Sequence, residues 1–172
     1  MDGPNNPTPF MLQEVELLPS KPGKQSPSAT IHFSPQDTPM SELLTPISYG
    51  ELIDKITILE IKAVHIRDAA KLANVRTELD LLNATWAAHP AAATDISSER
   101  AQLKAVNEAL WKIEDDIRLK EKAQAFDAEF IELARSVYFR NDERAAVKKA
   151  INLKLGSKLV EEKSYQDYRA EA

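Results

Sequence analysis

From Ser48 onward, apolar residues recur three and four positions apart, the spacing of one face of an α-helix. Ser48 followed by Glu51 is a capping-box pattern, and it opens a first helix from about Tyr49 to Ile66. Its main stripe is Leu52, Ile56, Leu59, Ala63 and Ile66, with Ile53 and Val64 beside it. Asp68 caps a second helix, about Ala69 to Ala88, whose seam is Leu72, Val75, Leu79, Leu82 and Trp86. The stretch "HPAAATD" reads as a loop. A long third helix then starts at Thr94 or Asp95 and runs to about Gln124, with Leu103, Val106, Leu110, Ile113 and Ile117 inward. Asp127 starts a fourth helix with Phe130, Leu133, Ala134 and Val137 inward. Asn141 and Asp142 are poor helix-interior residues, so the pattern either continues through them or restarts there. Gly156 suits the position just past a helix end.

The connections after Ile66 and Gln124 are short, which makes those neighbours antiparallel. The pattern therefore predicts an all-α fold: a bundle of four to five helices built from antiparallel, coiled-coil-like hairpins. One stretch, "ISYGELIDKITILEIK", is apolar on too many sides for a surface helix. At about 100° per residue, Ile58 and Ile61 fall opposite the main stripe, on a face shared with Asp54 and His65. This helix is either central in the bundle or part of an oligomer seam, and Ile58 and Ile61 are the candidate interaction face. The polar residues have a structural account too. Glu51 is the capping partner, Asp54 lies near the positive end of the helix dipole, and Lys55 and Lys62 extend along the rim.

Composition separates the core from its flanks. Nine of the ten prolines precede residue 47, and only seven of the first 47 residues are charged, against 42 of the other 125. Residues 1–45 are expected to form a disordered, Pro-rich tail in which "FMLQEVELL" and "ATIHF" are candidate docking segments. Residues 46–158 form the bundle domain, and residues 159–172 a polar C-terminal tail. Met40 stands where the composition changes, so a natural start there is an alternative to the first methionine.

Charge and composition also restrict the chemistry. The net charge of −5 argues against nucleic acid as a partner. The absence of cysteine excludes disulfides and thiolate chemistry and suits a cytoplasmic protein. No apolar run is long enough to span a membrane, and no secretory signal is visible. The four glycines are scattered, so no loop of clustered glycines can cradle a phosphate. The three histidines, His32, His65 and His89, lack any ligand spacing, and no metal or cofactor is expected. The acidic pairs Glu51/Asp54 and Glu129/Glu132 lie far apart and in the wrong order for paired magnesium motifs. No serine-nucleophile motif occurs, and no catalytic residue is assigned.

A candidate ligand site does emerge. Asn107, Trp111, Glu114 and Arg118 form a second stripe beside the seam of the third helix, spaced four, three and four. Asn141, Arg144, Lys148 and Asn152 form a similar stripe on the fourth, spaced three, four and four, near Arg140. With a turn at residues 124–127, Asn107 falls opposite Arg144 and Trp111 opposite Arg140. From Arg140 to Lys158 there are six basic and two acidic residues. An indole, two amides and several cations then face one groove, which suits a phosphate-bearing or nucleotide-sugar ligand. The bland alternative is a tryptophan packed at a helix crossing with an ion-pair network at its rim.

The segments "PISYGELIDKITILEIKAVHI", "KLANVRTELDLL", "LKAVNEALWKIEDDIRLKE" and "FIELARSVYFRNDERAAVKKAINLKLGS" together resemble a family of short bacterial helical proteins of unknown function, over most of residues 44–164. The resemblance implies a single helical domain, a cytoplasmic setting and, for some members, the company of glycosyltransferases. It carries no activity and no catalytic residue. Two functions follow as expectations. One is a protein-interaction or self-association module, binding a second copy or a larger partner such as a glycosyltransferase. The other is a small-ligand-binding protein or enzyme acting on a phosphate-bearing or nucleotide-sugar substrate.

Overall fold

The computed structural model describes residues 43–164. Most of the expected N-terminal tail and the end of the C-terminal one lie outside that range, as do both candidate docking segments and His32. The described residues contain four α-helices and one 3-10 turn, and no strand: α1 (Tyr49–His65), α2 (Ala69–Ala88), the turn Pro90–Ala93, α3 (Ser97–Lys122) and α4 (Ala128–Lys154).

Each boundary has a local cause. Ser48 has an extended backbone and its Oγ accepts the Glu51 N–H at 3.2 Å. The return half of the capping box is not made, because the Glu51 carboxylate takes the Lys148 ammonium instead, at 2.6 Å. Asp68 accepts the Lys71 N–H at 2.9 Å and Asp127 the Phe130 N–H at 3.0 Å. The expected loop at 89–95 holds a 3-10 turn begun by His89, whose Nδ1 accepts from the Ala91 N–H at 3.1 Å. α3 begins later than Asp95, with Ile96 as its N-cap. Asp95 bonds the Ser97 N–H at 2.9 Å and Ile96 is buried in the core.

α4 runs unbroken through Asn141 and Asp142. The Asn141 amide donates to the Val137 carbonyl one turn back at 3.0 Å, so it finds a partner without breaking the helix. Both long helices end in a Schellman motif. After α4, the Ser157 N–H reaches the Asn152 carbonyl and Gly156 has φ +66°. After α3, the Ala125 N–H reaches the Lys120 carbonyl, and the left-handed residue is Gln124, at φ 52°.

α1 packs against α2, α3 and α4, whereas among the helices α2 touches only α1. The first helix is therefore the centre of the bundle. One face carries Leu52, Ile53, Ile56 and Leu59, which join Ile96, Leu103, Val147 and Ile151 in the core. The other face carries Asp54, Thr57 and Ile61, also buried. Each fully buried isoleucine contributes about 1.5–3 kcal/mol. α2 has a cover on one side only, and its seam from Leu72 to Trp86 stays half-buried.

At the N-terminal end of α1 the helices come unusually close. A Cβ built on Gly50 would stand 2.5 Å from the Lys148 carbonyl oxygen of α4. The Gly50 N–H, one of the donors a helix start leaves without an intrahelical acceptor, donates to the buried Asn152 Oδ1 at 2.7 Å. This crossing fixes α1 against α4 and sets the spacing of everything further along it.

Candidate functional site

One turn after Gly50, Asp54 projects from α1 between α3 and α4. Its side chain is 1% exposed. A carboxylate that far from water needs strong compensation. Arg144 of α4 supplies it with a two-pronged contact: Nε donates to Oδ1 at 2.8 Å and Nη2 pairs with Oδ2. Asn107 of α3 adds a third donor, Nδ2 to Oδ1 at 2.9 Å, and the same amide nitrogen reaches Thr57 Oγ1 at 3.0 Å. The Thr57 hydroxyl in turn donates to the Asp54 carbonyl at 2.8 Å. Three helices are joined here by one carboxylate.

The hydrogen bonds to Asp54 also hold the Arg144 guanidinium above its ordinary pKa, against the opposing effect of burial. One turn along α4, Lys148 is buried between Glu51 and Glu161, at 2.6 and 2.7 Å. Burial alone would lower its pKa. The hydrogen bonds to Glu161 and Glu51 outweigh that and leave it raised. The same bond holds Glu161 below the usual carboxylate range.

Beyond the Asp54 network, α1, α3 and α4 diverge around a cleft of about 510 Å³. Its floor is Ile58, Ile61 and Leu110. Arg144 and Asn107 stand at its inner end, Asn141 on the α4 side, and Trp111, Glu114, Asp115 and Arg118 on the α3 side. Lys62 reaches it from α1 and makes no ion pair among the described residues. The Trp111 ring stacks on His65, with centroids 5.3 Å apart and planes at 25°. Arg118 bonds Glu114 one turn back, at 2.9 Å, and both stay open to solvent.

Six of the nine residues singled out on or beside the two stripes therefore line one cleft: Asn107, Trp111, Glu114, Arg118, Asn141 and Arg144. The other three do not. Asn152 is buried at the crossing with Gly50. Arg140 turns outward to Glu143 at 2.7 Å, and Lys148 lies beneath, in its own ion-pair cluster. Ile58 and Ile61 are not an outer face: Ile61 is buried within the chain and Ile58 half-buried in the cleft floor. The sequence reading missed Asp54 as the hub, because its position in the first turns of α1 already had an explanation. A signal was present. A face carrying Asp54, Thr57, Ile58 and Ile61 must be covered, and a covered carboxylate needs a cation. Among the described residues no three His, Cys, Asp or Glu side chains are grouped to hold a metal ion, and no helix is long and apolar enough to cross a membrane.

These features define a small all-α protein in which three helices flank an open cleft, lined by both apolar and polar side chains, beside a carboxylate–guanidinium pair whose carboxylate is buried. The chain belongs to a family of unknown function, DUF6165, whose model matches residues 43–170. The match takes in all four helices. No curated protein and no solved structure matches the chain.

Proposed function

We propose that the chain is a binding protein for a phosphate-bearing ligand with a sugar or base ring, of the nucleotide-sugar type, held in the cleft between α1, α3 and α4. The observation that carries this reading is the placement of Arg144. Asp54 fixes the guanidinium through Nε and Nη2, which leaves Nη1 at the cleft, 3.5 Å from Asn141 Oδ1. A pre-positioned guanidinium loses little freedom on meeting an anion. Lys62, which makes no ion pair among the described residues, supplies a second cation at the rim. Trp111 with Ile58 and Ile61 offers an apolar wall for a ring, and Asn107, with its amide hydrogens committed to Asp54 and Thr57, has its Oδ1 left to accept from a ligand hydroxyl. The volume of about 510 Å³ falls within the range of small-ligand sites.

The company of glycosyltransferases that the resemblance implies for some members fits this ligand class. The reading assigns binding and no catalytic residue. It takes precedence over docking of a partner on Ile58 and Ile61, since those side chains belong to the cleft floor.

The test is thermal unfolding and calorimetric titration with UDP-glucose as probe, with inorganic pyrophosphate and glucose as its separate halves. Trp111→Ala and Lys62→Gln are the variants, because neither holds a buried partner. Arg144→Ala is a poor probe, since it strands the Asp54 carboxylate. UDP-glucose should bind, and each variant should weaken it about 10-fold, the loss of about 1.4 kcal/mol. No heat and no stabilisation from any of the three probes at millimolar concentration sinks the reading.

A further inference from the structure

α1 reaches only as far as Trp111, where His65 stacks on the indole, while α3 continues for eleven more residues to Lys122, about 16 Å at 1.5 Å per residue. The outer part of the α3–α4 hairpin thus stands beyond the helix that covers its base. Burial records the difference. The buried apolar residues of α3 and α4 are Leu103, Val106, Leu110, Val147 and Ile151, all beside α1. From Trp111 to Ala146 no residue is buried, although the stretch contains Ile113, Ile117, Phe130, Ile131, Leu133 and Val137. Two helices cover a seam from one side only, so the apolar residues of this stretch remain half-buried or exposed.

The uncovered side is the continuation of α1's own seat. On α4 a stripe runs from Asn152 and Lys148, which bond α1, through Asn141 at the cleft to Ala134 and Ile131, in steps of four, seven, seven and three. Its last two members are exposed. On α3 the matching stripe runs from Asn107, which bonds α1, through Trp111 to Glu114 and Arg118. We propose that the hairpin of a second copy of this chain takes the empty part of this seat, so that two α3–α4 hairpins pair about a two-fold axis as an intermolecular four-helix bundle.

Three features single out a second copy as the occupant. The first is charge pattern. Glu114 and Arg118 form a stripe of one acid and one base, and such a stripe is complementary to its own inverted image, Glu114 of one copy meeting Arg118 of the other. Their intrachain pair is solvent-exposed and exchanges at little cost. The second is net charge. From Lys112 to Arg140 there are six basic and seven acidic residues, so two hairpins approach without the repulsion expected of a chain at −5. The third is area. A face two helices wide and about 16 Å long covers at most roughly 500–600 Å² of accessible surface per copy, about 1,100 Å² for the pair, which is the size of a weak, concentration-dependent dimer rather than of a permanent one. Trp111, Glu114, Arg118 and Asn141 belong both to this seat and to the lining of the cleft, so a paired hairpin and a ligand would share that rim; the inference itself does not rest on the ligand assigned to the cleft.

The experiment is sedimentation velocity of the full chain from about 1 to about 100 µM, the window of an interface of this size. The wild type should move from monomer to dimer across it. Ile131→Asp changes an exposed side chain, so its thermal midpoint should hold while the dimer is lost. Glu114→Arg and Arg118→Glu should each be monomeric alone, since each creates a single-sign stripe, and an equimolar mixture of the two should dimerise again. Recovery in the mixture identifies the surface, and the loss in each single variant identifies the Glu114–Arg118 pairing across it. A wild type that stays monomeric at every concentration overturns the proposal. So does a dimer that survives Ile131→Asp and ignores both charge reversals.

Discussion

At the scale of single residues, the fold turns on a carboxylate and a missing side chain. Asp54 stands where three helices meet, and Arg144 and Asn107 both donate to it. Removing one partner of a buried pair costs about 3–5 kcal/mol, because the other is left uncompensated. Arg144→Ala should therefore destabilise more than Asp54→Ala: the guanidinium can turn to water through the cleft, whereas the carboxylate cannot. The double variant should cost clearly less than the sum of the two. Urea unfolding of all four proteins checks this, and strict additivity would contradict the coupling. Gly50→Ala should cost about 1–3 kcal/mol in the same measurement, since its Cβ meets a backbone carbonyl rather than a movable side chain. The stripes of Asn107 to Arg118 and Asn141 to Arg144 were legible in the sequence because side chains at helical spacing must share a face. The partners of Asp54 were not, because spacing along one helix says nothing about which helix lies opposite.

At the scale of elements, the helices were readable wherever a cap is written locally. Ser48, Asp68, Asp127 and Gly156 mark boundaries through their own hydrogen bonds or backbone preference. The start of α3 was misplaced by about two residues because Asp95 bonds the Ser97 N–H, ahead of the true N-cap. Continuity of α4 through Asn141 was open in the sequence. It depends on an amide finding the carbonyl one turn back, and on Arg144 and Lys148 holding the next turns to α1. The end of α3 carries an avoidable strain. Gln124 takes a left-handed conformation that glycine adopts freely, and its amide contact to the Glu121 carbonyl is exposed. Gln124→Gly should stabilise the protein by up to about 1 kcal/mol, a rise of about 3 °C in Tm by calorimetry. A fall in Tm would mean that the Gln124 side chain contributes more than its conformation costs.

For the whole molecule, an all-α fold of antiparallel hairpins followed from the periodicity, but the central position of α1 did not. Its two apolar faces required cover, and only the structure assigns that cover to α3 and α4 of the same chain rather than to another copy. Stability should depend on acid in a definite direction. Glu161, Asp127, Glu99 and Asp95 are all held below their ordinary values, chiefly by bonds to Lys148, Lys120, Lys154 and the Ser97 backbone, respectively. A carboxylate that binds fewer protons folded than unfolded adds stability above its unfolded pKa and loses it as pH falls through the folded one. Tm should therefore be steady near neutrality and fall progressively below about pH 4.5; a Tm that rises there would contradict the ion-pair account. The central claim, a cleft that receives a phosphate-bearing ring against Trp111, has a built-in control, because the chain has only two tryptophans. Trp111 lines the cleft, whereas Trp86 packs on Tyr49 at the other end of α1. The direct measurement is the NMR titration of the two indole N–H signals with UDP-glucose. The account predicts that the Trp111 signal shifts saturably while that of Trp86 stays in place. A Trp111 signal that does not move, or a Trp86 signal that moves alone, would contradict it.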